Sequence, residues 1–386
     1  MMRPSIPRLR SASLALAVSG LAAAAAVSGQ TMSIEDYDPK STLVVPEHHP
    51  QHARFPFIDV HNHQDRDQSA ADVAKLVADM DRLNMRVMVN LSGSQAAEFE
   101  KGYANLAGRY PGRFVVFANL DFNGIEQPGW GQRAAAQLAL DYEHGARGLK
   151  IFKNLGMTVT DASGKRVAVD DPRLDPVWDK AGELGIPVLI HTAEPRPFFE
   201  TQDAHNERWL ELKQFPQRAR PPERFPPFEQ LLGEQHHMFE KHPKTKFIDA
   251  HLGWLGGDLA RLGQLFDRLP NVYTEIGAVL AELGRQPRFA REWFLKYGDR
   301  VMFGKDTWAA DEYLVYFRVL ETDDEYFDYY RKRHAFWKMY GLALPDSVLR
   351  KIYYENALRV IPGIDPNPFQ AAAGQVETRV PARRAR

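Results

Sequence analysis

His61 and His63 stand one residue apart at the end of an apolar run, 57–61. On a strand, residues two apart share a face, so both imidazoles would enter the same space. His191 closes the run 187–191, His251 closes 246–251, and Asp306 follows 300–304. A His-x-His pair alone is a weak signal in a chain with 13 histidines. Four imidazoles and a carboxylate, each ending an apolar run, point to a bound divalent metal. Three imidazole nitrogens and one carboxylate oxygen suit a single zinc with a position open for water; manganese, iron and cobalt accept the same donors. The 386 residues contain no cysteine, which excludes thiolate zinc sites, iron–sulfur clusters, disulfides and a cysteine nucleophile.

The elements that must position these residues are legible as eight short runs, 57–61, 86–90, 114–118, 148–152, 187–191, 246–251, 271–276 and 300–304. Each is rich in β-branched or aromatic residues and nearly continuous, as strands buried on both faces are. Helical stretches separate them. Residues 71–83 place Val73, Leu76, Val77, Met80 and Leu83 at helical spacing, and Asp170-Asp171-Pro172 and Leu344-Pro345-Asp346 read as helix starts. Eight strands alternating with helices is the count of a (β/α)₈ TIM barrel. A doubly wound sheet would carry a glycine-rich turn after its first strand, where this chain has His61-Asn62-His63. Loop insertions at 155–169, 195–227 and 307–340 follow strands and so lie on the C-terminal face; the second, rich in Pro, Arg and Phe, is expected to be a substrate lid. The aromatic run 326–330 alternates with charges and is expected to pack a helical insertion against the barrel.

Residues 1–29 read as a signal peptide: Arg3, Arg8 and Arg10 precede an apolar run of about 14 residues and a small-residue cleavage site. Its removal would take the formal net charge from −1 to −4, and an exported protein, periplasmic or secreted, is expected. Residues 30–54 form an N-terminal segment, 55–364 the catalytic barrel and 365–386 a disordered basic tail. The 49 basic and 50 acidic residues leave no footprint for nucleic acid, and no membrane association is expected after signal cleavage.

These motifs resemble the amidohydrolase superfamily, in the branch of aminocarboxymuconate-semialdehyde decarboxylase and related metal-dependent hydrolases. The resemblance rests on Asp59-Val60-His61-Asn62-His63, Gly148-Leu149-Lys150, Ile190-His191, Asp249-Ala250-His251-Leu252-Gly253, Phe303-Gly304-Lys305-Asp306 and Glu355-Asn356-Ala357-Leu358-Arg359-Val360, and it spans 55–361. It implies that His61, His63, His191 and Asp306 hold the metal, with His251 beside it as acid, base or electrostatic partner. Lys305 stands where the branch often has Ser or Thr. Some superfamily members bridge a second metal with a carboxylated lysine at the end of strand 4, where Lys150 and Lys153 lie; their parity lets only one point inward. One metal is expected, with Lys150 a buried ammonium paired to a carboxylate.

The chemistry expected first is hydrolysis of an ester, lactone or amide-type bond in a small molecule, with Asp306 as proton shuttle and His251 stabilising the developing charge. The alternative is non-oxidative decarboxylation of an aromatic or unsaturated acid, for which Arg196, Arg285 and Arg288 are candidates to hold a substrate carboxylate, Arg285 foremost. A non-catalytic metal- or ligand-binding barrel is the third reading. Trp308, Trp254, Phe198 and Phe199 are candidates for an apolar substrate wall, Trp308 foremost. Self-association into a homo-oligomer is common in such barrels.

Overall fold

The computed structural model describes residues 31–334 and 337–370. The expected signal peptide and the tail beyond residue 370 lie outside them. The chain divides at Thr42. Of the first unit, residues 31–42 are described, and they carry a single exposed turn closed by Ser33 and Asp36. The second unit begins at Leu43, upstream of the expected barrel boundary. In it Ala53 donates to the Leu83 carbonyl, and Arg54 reaches Asp346 and the Glu321 carbonyl.

Eight parallel strands make the barrel: β1 Phe57–Asn62, β2 Met85–Asn90, β3 Phe114–Val116, β4 Leu149–Ile151, β5 Val188–Ile190, β6 Phe247–Asp249, β7 Val272–Glu275 and β8 Val301–Met302. They pair in chain order as β1–β2–β3 and β4 to β8. Two single bridges close the ring, Ala118 with Leu149 and Asn62 with Asp306. All eight expected strands are present, and the fold is a TIM barrel. Most are shorter than their apolar runs, because the chain leaves the ladder before the run ends. His191 lies just past β5, His251 two residues past β6 and Asp306 four past β8. His191 and Asp306 still touch the ladder, through the His191 amide to the Ile151 carbonyl and the bridge of Asp306 to Asn62, while His251 and Asp306 take left-handed backbone conformations at φ 61° and 80°.

Around the ring, α1 (Ala70–Leu83) shows how sequence sets an element. Ser69 caps its start by accepting from the Asp72 amide, and Asn84 ends it in the left-handed region at φ 68°. Val73, Leu76, Met80 and Leu83 are buried against the barrel, each contributing roughly 1.5–3 kcal/mol. The run 326–330 departs from expectation. Phe327–Asp328 pairs antiparallel with Lys338–Met339 as a two-stranded ribbon, not a helix. Its charges, Glu325, Asp328 and Arg331, recur every three residues, so no strand period marks it in the sequence. Among the described residues no helix is long and apolar enough to cross a membrane.

Candidate metal centre and active site

His61, His63 and Asp306 meet at the C-terminal mouth of the barrel. Their Nε2, Nε2 and Oδ1 atoms form a triangle with edges of 3.3 Å between the histidines and 3.5 and 3.6 Å to the carboxylate. Tetrahedral donors at a zinc–nitrogen distance of about 2.0–2.1 Å stand about 3.3 Å apart, so this donor set fits such an ion.

Hydrogen bonds fix which ring nitrogens face the triangle. His61 Nδ1 lies 2.9 Å from Glu275 Oε1, and His63 Nδ1 lies 2.9 Å from Ser92 Oγ. With Nδ1 protonated for those acceptors, each Nε2 keeps its lone pair. A second chain of bonds orients His191. His251 Nδ1 donates to the Gly277 carbonyl at 2.8 Å, so its Nε2 accepts from His191 Nδ1 at 3.2 Å. That leaves His191 Nε2 with a lone pair, and this atom is buried without a partner among the described residues. An orphaned acceptor of this kind suits a metal ligand. His191 itself joins no group of three ligand atoms lying within 4.8 Å of one another among the described residues; His251 links it to the triangle.

Electrostatics agree with the donor roles. Burial, then the Lys150 ammonium, drive the His61 imidazole well below its ordinary value and His63 down to about 4. Burial and neighbouring His251 do the same to His191. Burial would raise the Asp306 carboxyl, but His61, His251, His63 and Lys150 hold it down to about 2. Neutral imidazoles and an ionised carboxylate are the states a cation requires.

Glu275, the last residue of β7, escaped sequence reasoning because it lies inside the run 271–276, one residue before its end. It is fully buried, accepts from His61 Nδ1, from the His251 amide at 2.6 Å and from the Gly277 amide. Gly304 makes room for it: a Cβ there would lie 2.2 Å from Glu275 Oε2 and 3.0 Å from the His61 Cβ. Asp59 plays a similar part behind β1, accepting from the His61 amide at 3.0 Å, Asn62 Nδ2 at 2.9 Å and the Tyr313 hydroxyl at 2.6 Å. The backbone of His251, Leu252, Gly253 and Trp254 runs through four successive left-handed conformations, φ 54–61°. Three of the four are not glycine, so this segment stores strain. The bonds to Glu275 and Gly277 hold it, and Trp254 stacks on His251 with centroids 4.6 Å apart.

The chain matches the amidohydrolase family model over residues 37–363. The protein belongs to the amidohydrolase family. No curated protein matches it. Among solved structures it resembles a putative amidohydrolase from Staphylococcus aureus, at 16% identity over 79% of this chain and 99% of that one, TM-score 0.51. It also resembles 2,6-dihydroxybenzoate decarboxylase from Rhizobium, at 15% identity over 79% and 98%, TM-score 0.51. A dihydroxybenzoic acid decarboxylase from Polaromonas with bound manganese shares 15% identity over 82% and 97%, TM-score 0.50. At these identities the likeness is one of fold.

Other residues of this amidohydrolase fall in different places. Lys150 points inward, buried, with Nζ 3.4 Å from His61 Nε2, and burial lowers its ammonium to about 8. Contrary to expectation, no described carboxylate lies within ion-pair distance of it; Asp306 and Glu275 support its charge from further away. Lys153 takes the other parity and pairs with Glu194 at 2.6 Å. Arg285 is committed, bonded to Glu207 at 2.6 Å and stacked on Trp337, while Arg196 pairs with Glu200 and Arg288 is exposed. Trp308 is half-buried against Tyr313. Phe198 lies buried under the Arg218 guanidinium and is not free to form a substrate wall, whereas Phe199 packs on Phe228 and lines a cavity within the insertion 195–227.

Two carboxylates of the amidohydrolase site lend themselves to direct tests. Glu275→Gln keeps the shape but offers one carbonyl where three donors now converge on a carboxylate. Metal affinity should fall about 10–100-fold, read by competition with a chromophoric chelator; an unchanged affinity removes Glu275 from this role. Asp249 on β6 is buried, receives one bond from Gln235 at 2.8 Å, and leaves Oδ2 unpartnered. Burial raises its carboxyl to about 8. A raised carboxyl favours the protonated form, so folding stability is lost as pH climbs from about 4 towards 8. Asp249→Asn removes that titration. Its melting temperature should gain on wild type by several degrees across this pH range, and parallel curves would refute the assignment.

Proposed function

We propose that this amidohydrolase is an exported, metal-dependent hydrolase that opens an ester, lactone or amide-type bond of a small molecule. The reading is carried by the triangle of His61 Nε2, His63 Nε2 and Asp306 Oδ1, with the carboxylate ionised at neutral pH. One zinc ion, held by His61, His63, His191 and Asp306, would acidify a water and polarise the substrate carbonyl. Asp306 accepts the proton of the attacking water and returns it to the leaving group. His251 acts through His191, keeping its tautomer and adding a dipole near the developing negative charge. Glu275 and Ser92 stop the two strand-1 imidazoles from turning away. Trp308 forms part of the wall facing the substrate.

A second reading has its own support. The buried Lys150 ammonium, lacking a carboxylate within ion-pair distance among the described residues, suits a substrate carboxylate, and two of the similar structures are decarboxylases. In non-oxidative decarboxylation a proton replaces the departing carbon dioxide at carbon, and no water is consumed.

The deciding experiment incubates the metal-loaded protein with a panel of esters, lactones, amides and aromatic carboxylic acids. Acid release without gas supports hydrolysis; carbon dioxide without a hydrolytic product replaces it with decarboxylation; silence across the panel discards both. Metal analysis belongs beside it, since one ion per chain fits the single-zinc reading and two would require Lys150 as a carboxylated bridge. Export is tested by fractionating cells and sequencing the mature N-terminus, and self-association by light scattering.

A further inference from the structure

Phe152 lies one residue past β4 and two past Lys150, so the two side chains leave the chain on the same side. Its ring centre is 5.7 Å from that of His63, with the planes inclined at 33°, and the Lys150 Nζ is 5.5 Å from it. Among the described phenylalanines, tyrosines and tryptophans it alone is in ring contact with a histidine of the triangle. Trp254 lies instead against His251 and His191, and Trp308 against Tyr313.

This ring is not spent on packing. Phe57, Phe303 and Phe317 of the barrel are fully buried, whereas Phe152 is 37% exposed. A single exposed apolar residue is ordinary on a protein surface; one placed against a metal-ligating imidazole and a buried ammonium is not on an ordinary surface. The triangle is open as well. His63 and Asp306 keep 29% and 31% of their side chains accessible, while His61 keeps none. A molecule reaching the triangle from solvent therefore meets it at His63 and Asp306, and the ring packed on His63 borders that approach.

We propose that Phe152 is a specificity-determining residue: its open ring is the platform on which a flat, unsaturated group next to the reacting bond of the substrate lies. A saturated group of the same size would gain the contact area alone, whereas a π-face also gains the offset or edge-to-face attraction between rings. The inference rests on the reading that substrate reacts at the metal triangle, and it applies to hydrolysis and decarboxylation alike.

Calorimetric titration of benzoate and cyclohexanecarboxylate into the metal-loaded full chain tests it. The two acids share a charge and a six-membered ring and carry the same carboxylate to the metal, so the flat π-face is what distinguishes them. Benzoate should bind about five- to tenfold more tightly, the size of one aromatic pair. Phe152→Leu keeps an apolar side chain without the ring, and there the preference should shrink to within about twofold, with metal content unchanged. Phe152→Tyr restores the ring and should restore the preference. A wild-type preference below about twofold overturns the proposal, as does a preference undiminished in Phe152→Leu or lost in a metal-loaded Phe152→Tyr. The readout is binding, so a chain that shows this pattern yet turns over no ester, lactone or amide refutes the hydrolytic reading and leaves the role of Phe152 standing. Hydrolysis of esters by a chain with no preference for benzoate does the reverse.

Discussion

Asp306→Asn yields a folded, metal-loaded protein whose turnover number has dropped by roughly 10²–10⁴-fold, the range for losing a positioned proton-transfer group. The fold survives for local reasons. Asp306 sits at φ 80°, which Asn tolerates as well as Asp does, and its amide still donates to the His61 carbonyl at 2.6 Å. What disappears is a carboxylate that its neighbours keep ionised down to about pH 2. The amide cannot take a proton from water, so the loss belongs in kcat and not in KM. Kinetics at saturating metal separate this from weakened ion binding, and calorimetric melting checks the fold. Turnover within about threefold of wild type would strip Asp306 of its shuttle role.

Exhaustive chelation is the second large effect. Activity should fall at least about 100-fold and return on adding zinc, manganese or cobalt. Melting should fall by several degrees on stripping, because an ion that binds only the folded chain at about 100 times its Kd contributes about 2.7 kcal/mol. The pH course distinguishes the ligands from ordinary surface histidines. The folded pKa of His63 is depressed to about 4, with His61 and His191 also well below the usual imidazole value. The ion should therefore be retained through pH 6 and released only towards pH 4. With lowered folded values the unfolded chain binds more protons, so the stripped protein loses stability as pH falls from about 6.5 towards 4. Full activity after complete removal of metal, measured by atomic emission, would end the metal-dependent account.

Much of this site is legible in the sequence because parallel strands buried on both faces must be apolar, and a polar residue at the end of such a run has few structural excuses. That logic finds His61, His63, His191, His251 and Asp306. Applied to 271–276 it misses Glu275, the last residue of β7, which lies one residue before the end of the run. Other features depend on partners distant in sequence. Nothing local shows that Arg285 will meet Glu207, 78 residues away. Nor does the composition of His251 to Trp254 announce four left-handed residues, since side-chain and carbonyl contacts from β7 and its following loop impose them. The ribbon at Phe327–Asp328 is not legible by period, because the charges around it recur every three residues and its partner Lys338–Met339 lies about ten residues further on.

The ring seals where the Asp306 amide meets the His61 carbonyl, joining the first strand to the last. Residues contributed by opposite ends of the polypeptide must thus dock before any cation can be gripped. Partly wound chains, with that seam gaping, would be catalytically mute and unable to capture a metal ion. During refolding, metal uptake should then report completion of the final stave, lagging behind helix formation seen by circular dichroism.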